Sequence, residues 1–172
     1  MASKTVKNKF VTGKVRFSYA NVFSPKAAQE GATPKYSVSI IIPKSDTETI
    51  AKINKAFEEV KAASAAIFGG TVPKLLKGGL RDGDAEKDDA AYAGSYFINA
   101  NSVNKPGVVD VDLNPIIDPS EFYSGCYGRA SITFYAYNSN GSKGIACGLN
   151  NIQKTDDGEQ LGGGARNAGP GL

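Results

Sequence analysis

The amino-acid sequence predicts a mainly β chain with one long helix, a β-rich α+β fold. Three observations predict it. Side chains alternate between apolar and polar along 10–19, 35–42 and 126–137, the period of two expected of strands with one buried side. Only one stretch, 45–68, repeats its apolar residues at three- and four-residue spacing. The intervals between are rich in Gly, Pro and Asn, residues that end elements rather than continue them.

Residues 1–9 are polar, with Lys4, Lys7 and Lys9, and read as a flexible basic arm. The first strand, 10–19, turns Val11, Val15, Phe17 and Tyr19 inward and Thr12, Lys14, Arg16 and Ser18 outward. Two prolines and a glycine make 24–34 a loop, with room for one more short strand within 20–34 or in the segment before the helix. Residues 35–42 put Tyr36, Val38, Ile40 and Ile42 on the core side, and Pro43 ends the strand. The helix at 45–68 opens on a capping box of Ser45 and Glu48. Its stripe of Ile50, Ile53, Phe57, Val60, Ser64 and Ile67 faces the core, and Gly69-Gly70 stops it.

Residues 71–94 are loop-rich and carry acids from Asp82 to Asp89. With Arg81 and Lys87 among them and no histidine, a flexible acidic loop is expected rather than a metal site. Strands follow at 95–103 and 108–111, then a turn at 114–120. In the long strand 126–137, Cys126, Gly128, Ala130, Ile132, Phe134 and Ala136 face inward. Tyr127, Arg129, Ser131, Thr133, Tyr135 and Tyr137 face outward. Asn138–Gly141 ends in Asn-Gly, a hairpin turn, and the return strand places Ile145, Cys147 and Leu149 on one face. From Asp156 the chain reads as a Gly-rich flexible tail. The folded domain is thus 10–155. A small antiparallel sheet or barrel with one helix packed on it suits this order, and an OB-fold-like antiparallel barrel, a five-stranded type that sets a helix between its third and fourth strands, is one such form. Periodicity leaves the strand order open.

A chain of 172 residues fits one domain. No apolar run approaches the ~20 residues that span a bilayer, and the N-terminus has no apolar signal core, so a cytosolic protein with no membrane contact is expected. Cys126 and Cys147 read as two buried free thiols, since a reducing cytosol argues against a bridge across the hairpin. The absence of histidine removes Ser-His-Asp and Cys-His catalysis and most zinc sites. Asp110 and Asp112 share a strand face and, with Glu121, offer only a weak magnesium site, the basis of a minor nuclease alternative. No cofactor is expected.

The charge is uneven. Residues 1–55 hold ten Lys and Arg against Glu30, Asp46 and Glu48, whereas the rest of the chain is net acidic. A basic N-terminal third suits an anionic partner. The outward face of 126–137 is unusual for a solvated strand, with three tyrosines and an arginine. Two readings stand side by side. The rings stack on nucleic-acid bases, or they cover a neighbouring element with their hydroxyls at the rim. On the first reading Tyr127, Tyr135 and Tyr137 are the platforms, Lys14, Arg16 and Arg129 are the outward cations, and Lys35, Lys105 and Lys143 add further phosphate contacts.

The strings YFINANS at 96–102, KPGVVD at 105–110, EFYSGCYGRASITFYAYN at 121–138 and KGIACGLNNIQKTDDGEQLGG at 143–163 resemble those of bacteriophage single-stranded DNA-binding proteins. The opening strand and LRDGD at 80–84 fit as well. The resemblance covers roughly 10–163. It implies an OB-fold protein, without enzymatic activity, that binds single-stranded DNA without sequence preference in phage replication or recombination, in the cytoplasm of the infected bacterial host. Phage or host replication proteins and a second copy of the chain are further partners it suggests. Such proteins commonly end in an acidic tail, whereas this sequence has no acid after Glu159. Either the tail has been removed or partners are recruited otherwise. A virion or scaffold protein using the tyrosine face as a protein interface is the second alternative.

Overall fold

In the computed structural model, which describes residues 7–161 apart from 28, 75, 140 and 141, the chain forms eight strands. They are β1 (Lys7–Val11), β2 (Val15–Lys26), β3 (Lys35–Pro43), β4 (Arg81–Asp82), β5 (Ser95–Ser102), β6 (Gly107–Val109), β7 (Tyr127–Ser139) and β8 (Ser142–Asp156). The long helix α1 is Thr47–Ala63, and Gly83–Glu86 forms a single helical turn, α2. The mainly β fold with one long helix is as expected. β7 pairs with β2, β2 with β3, β3 with β5, β5 with β8, and β8 returns to β7, so five strands close an OB-like ring. One seam departs from the antiparallel pattern. β5 and β8 run parallel through Asn101 and Gly148, and β6 runs parallel to the far end of β8. A parallel pair needs a crossover rather than a hairpin, and the chain between β5 and β8, which includes β6 and β7, supplies it.

The alternation of β7 is realised residue by residue. Gly128, Ala130, Ile132, Phe134 and Ala136 are buried, and the residues between them are not. Inside the ring they meet Phe17, Ile40, Ile42 and Leu149. Each such side chain contributes about 1.5–3 kcal/mol through burial. Phe134 anchors the interior, with the rings of Phe10 and Phe57 at 5.7 and 5.9 Å. α1 covers this region with Ile53, Ala56 and Val60 buried and Phe57 half-buried.

Several expectations are corrected. The strand expected over 10–19 is two strands, β1 and β2, laid end to end along one side of β7. Between them Thr12 is buried; its backbone N–H donates to the Ala130 carbonyl and its Oγ1 accepts from the Ala130 N–H. That break resets the alternation, leaving Val11 exposed rather than inward, while Val15 and Phe17 are buried as read; Ser18, expected outward, is buried, and a later bulge between Ser18 and Asn21 leaves Tyr19 exposed rather than inward. β1 takes in residues 7–9 of the expected arm; residues 1–6 and the tail from 162 lie outside the described residues, as do Asn140 and Gly141 of the hairpin turn. The helix N-cap is Asp46, whose carboxylate accepts from Thr49 N at 3.1 Å, not Ser45, and the helix ends at Ala63.

The acidic stretch is ordered by its own carboxylates. Asp82 caps α2, Asp84 accepts from Gly94 N, and Asp89 accepts from Ala91 N. Lys44 bridges Asp82 and Asp84 at 2.9 Å each. These contacts hold residues 81–92 against the outer side of the sheet, where Ile41, Tyr92 and Phe97 form a second small core. The Tyr92 hydroxyl donates to Ser39 Oγ at 2.9 Å, and burial pushes its pKa up. The two cysteines are buried and free. Cys147 faces Phe134 in the ladder, eight residues along from Cys126, so the hairpin keeps the thiols apart. Burial alone pushes the Cys147 thiol up to about 12, leaving it inert.

Candidate nucleic-acid interface

Because Phe134 and its alternates point inward, Tyr127, Arg129, Ser131, Thr133, Tyr135 and Tyr137 must point outward, and they do. β8 determines how the rings lie. Tyr135 rests on Gly148, where a Cβ would stand 3.4 Å from its Cε1. Tyr137 lies over Gly144, where a Cβ would meet its hydroxyl at 2.6 Å. Glycine at both positions lets each ring lie close to the strand, and both tyrosines are half-buried. Between them and Arg129, Thr133 Oγ1 accepts from Asn150 Nδ2 at 2.8 Å.

From Tyr135 an uncharged polar row crosses the ring. Thr133 pairs with Gly148, Gly148 with Asn101, Asn101 with Ser37, and Ser37 with Asn21. At a strand spacing of about 4.8 Å the row is roughly 19 Å long. Paired residues share a face, so hydroxyls and amides line it on both sides of the bare Gly148, with Asn21 Nδ2 donating to Ser37 Oγ at 3.4 Å. Lys9 stands opposite Thr133, and Lys35 is two residues from Ser37 on the same face. Rings that stack, amides that bond base edges and lysines that meet phosphates are the components of a single-strand groove.

The other end of β7 is built differently. The Arg16 guanidinium lies 5.3 Å from the Tyr127 ring centre and the Lys14 ammonium 5.6 Å. Arg16 Nε donates to the Gly125 carbonyl and Nη2 to the Glu159 carbonyl, at 3.1 and 2.8 Å. Lys14 pairs with Asp156 at 2.6 Å and Lys154 with Asp157 at 2.6 Å. The Tyr123 hydroxyl donates to Asp157 Oδ1, and Leu161 N donates to the Ser124 carbonyl. Lys14 holds the Asp156 carboxyl below its ordinary pKa, and Lys154 does the same for Asp157. Tyr127, Arg16 and Lys14 therefore clamp residues 156–161, and their own chain occupies them.

Arg129 is exposed, with Nε donating to the Thr12 carbonyl at 3.1 Å. Lys105 lies in the exposed connection between β5 and β6. Lys143 falls on the alternate of β8 that carries Ile145 and Cys147, opposite Asn138, so the fold does not bring it to the tyrosine face. The expected pairing of Asp110 with Asp112 on a strand is also corrected. β6 ends at Val109, and Asp110 Oδ1 accepts from the N–H groups of Asp112 and Asn114, turning a loop. Among the described residues no group of three or more acids, cysteines or histidines stands together as a metal site. The reading from sequence missed Lys9, Asn21, Ser37, Asn101 and Gly148. They come from five segments, and only the register of the closed ring aligns them.

The family model described as Enterobacter phage Enc34, ssDNA-binding protein, matches residues 8–169. The chain belongs to this family. It is 30% identical over 163 residues to the putative protein p50 of Acyrthosiphon pisum secondary endosymbiont phage 1, covering 91% of this chain and 88% of that one. Its fold is similar to that of the single-stranded DNA-binding protein of bacteriophage Enc34 in complex with single-stranded DNA, at TM-score 0.77 and 26% identity over 90% of this chain and 89% of that one. The single-stranded DNA-binding protein encoded by bacteriophage T7 shares the fold at TM-score 0.59 and 16% identity, with 86% and 91% of the two chains covered. Among the described residues of this family member, no helix is long and apolar enough to cross a membrane.

Proposed function

We propose that the chain is a non-catalytic, sequence-independent single-stranded DNA-binding protein of phage replication, acting in the cytoplasm of the infected host. The observation that carries the reading is the row from Tyr135 through Gly148, Asn101 and Ser37 to Asn21, in a chain whose family is described as single-stranded DNA-binding. Tyr135, half-buried against Gly148, supplies an aromatic ring at one end, and the row beside it carries hydrogen-bonding groups with no fixed charge. Stacking is indifferent to base identity, and lysines track phosphates, so affinity without sequence preference follows. Of the expected site residues, Tyr135, Tyr137, Arg129 and Lys35 are assigned to DNA, joined by Lys9. Lys14, Arg16 and Tyr127 are assigned to holding residues 156–161.

Fluorescence-anisotropy titration of labelled oligo-dT and of a mixed-sequence strand at increasing salt tests this. Similar affinities for both, falling steeply with salt, and weak binding to duplex are expected. A strong preference for one sequence or for duplex, or no affinity at low salt, would overturn it.

A further inference from the structure

Tyr19 is one of only two non-glycine residues with a positive φ among the described residues, at 47°. A left-handed backbone is a genuine outlier for a bulky side chain. The cause is local. β2 bulges between Ser18 and Asn21, where Ala20 N–H leaves the ladder to donate to Ser124 Oγ, and Asn21 Nδ2 donates to the Tyr19 carbonyl. Bulges re-aim side chains. Here the result is a tyrosine 44% exposed at the β2 end of the polar row, beside Asn21.

Lys87 braces this ring. Its ammonium lies 5.7 Å from the centre of Tyr19, 5.4 Å from Tyr92 and 5.3 Å from Phe97. The other cations nearby are neutralised: Arg81 reaches Glu86 through two donors, and Lys44 reaches Asp82 and Asp84. Lys87 forms no salt bridge among the described residues. Its neighbour Asp89 is turned to the Ala91 N–H, while Asp88 is exposed. An ammonium set on ring faces, with no carboxylate bound to it, keeps its charge for an incoming anion.

We propose that Tyr19 and Lys87 form a second contact point for single-stranded DNA, Tyr19 stacking on a base and Lys87 meeting the adjoining phosphate, at the opposite end of the row from Tyr135. This rests on the reading of the row as the DNA path. It accounts for a costly backbone conformation at an exposed aromatic residue, since such conformations persist where the surrounding structure enforces them and cluster at ligand sites. It also gives the row a ring at each end, so a strand crossing the ring is held at two points.

The test uses the full chain with Tyr19→Gly, Tyr19→Phe and Lys87→Gln, titrated with oligo-dT. Glycine accepts the left-handed backbone, so Tyr19→Gly should fold at least as stably as the parent. Its affinity should fall roughly 5- to 150-fold, the range for one lost base stack, while Tyr19→Phe stays near the parent. Lys87→Gln should lower the slope of log affinity against log salt by about 0.7, one phosphate contact on a single strand. A folded Tyr19→Gly with parental affinity and a Lys87→Gln with parental slope would overturn this proposal while the parent still binds. A parent that does not bind oligo-dT at all would overturn the DNA path itself.

Discussion

Tyr127 and Tyr135 occupy the same face of the same strand, and both are half-buried. Their surroundings differ. Tyr127 is flanked by the cations Arg16 and Lys14, with Gly158 against its ring edge, and so belongs to the packing of residues 156–161. Tyr135 rests on a glycine and opens onto a row of amides and hydroxyls. A ring closed in by its own chain stabilises the fold, whereas a ring with one face open can stack on a base. On the proposed assignment Tyr127 is the cover and Tyr135 the platform, about 26 Å apart at strand rise.

The largest effect should come from beneath both regions. Phe134 is fully buried and touches Phe10 and Phe57. Phe134→Ala should cost about 3–5 kcal/mol and weaken both ends together, measured by urea denaturation. A loss under about 1 kcal/mol would show that the hairpin is not seated on this core.

The next prediction separates the ends. Tyr135→Ala should lower oligo-dT affinity by roughly 1–3 kcal/mol and leave the melting temperature nearly unchanged. Tyr127→Ala should lower stability by about 0.5–3 kcal/mol, with DNA affinity kept in the folded protein. Swapped outcomes would reverse the assignment of the two rings.

The smallest effect is acid sensitivity. Lys14 and Lys154 hold the Asp156 and Asp157 carboxyls below their ordinary value, and Lys44 does the same for Asp82. Carboxyls depressed in the folded state stabilise above about pH 4, the unfolded value, and that contribution is lost as pH falls through the folded values. The melting temperature should therefore hold from pH 7 to 5 and decline below about pH 4. Asp157→Asn should decline less steeply. An identical acid profile in that variant would remove Asp157 from the clamp.

Much of this was legible in the sequence. The inward set of β7, the apolar stripe of α1 and the return of β8 follow from periodicity, which depends only on which side of an element is buried. The break at Thr12 was not legible, because its hydroxyl meets the Ala130 N–H, 118 residues away. Nor was the bulge that exposes Tyr19, since alternation assigns that residue to the core. The tyrosine face was readable as a face, but the partner of each ring was not. Gly148 under Tyr135 and Glu159 beyond Arg16 are choices of register and of chain path, and a strand pattern carries neither.

The central claim is that single-stranded DNA lies across the row at the Tyr135 end and leaves the Tyr127 clamp untouched. Hydrogen–deuterium exchange with and without an oligo-dT of about twenty nucleotides, longer than the ~4–16 that one OB fold covers, tests it most directly. Peptides spanning 133–137, 144–150, 99–102 and 19–21 should gain protection, and those spanning 154–161 should not. Protection confined to 154–161, or none along the row while the DNA is bound, would contradict it.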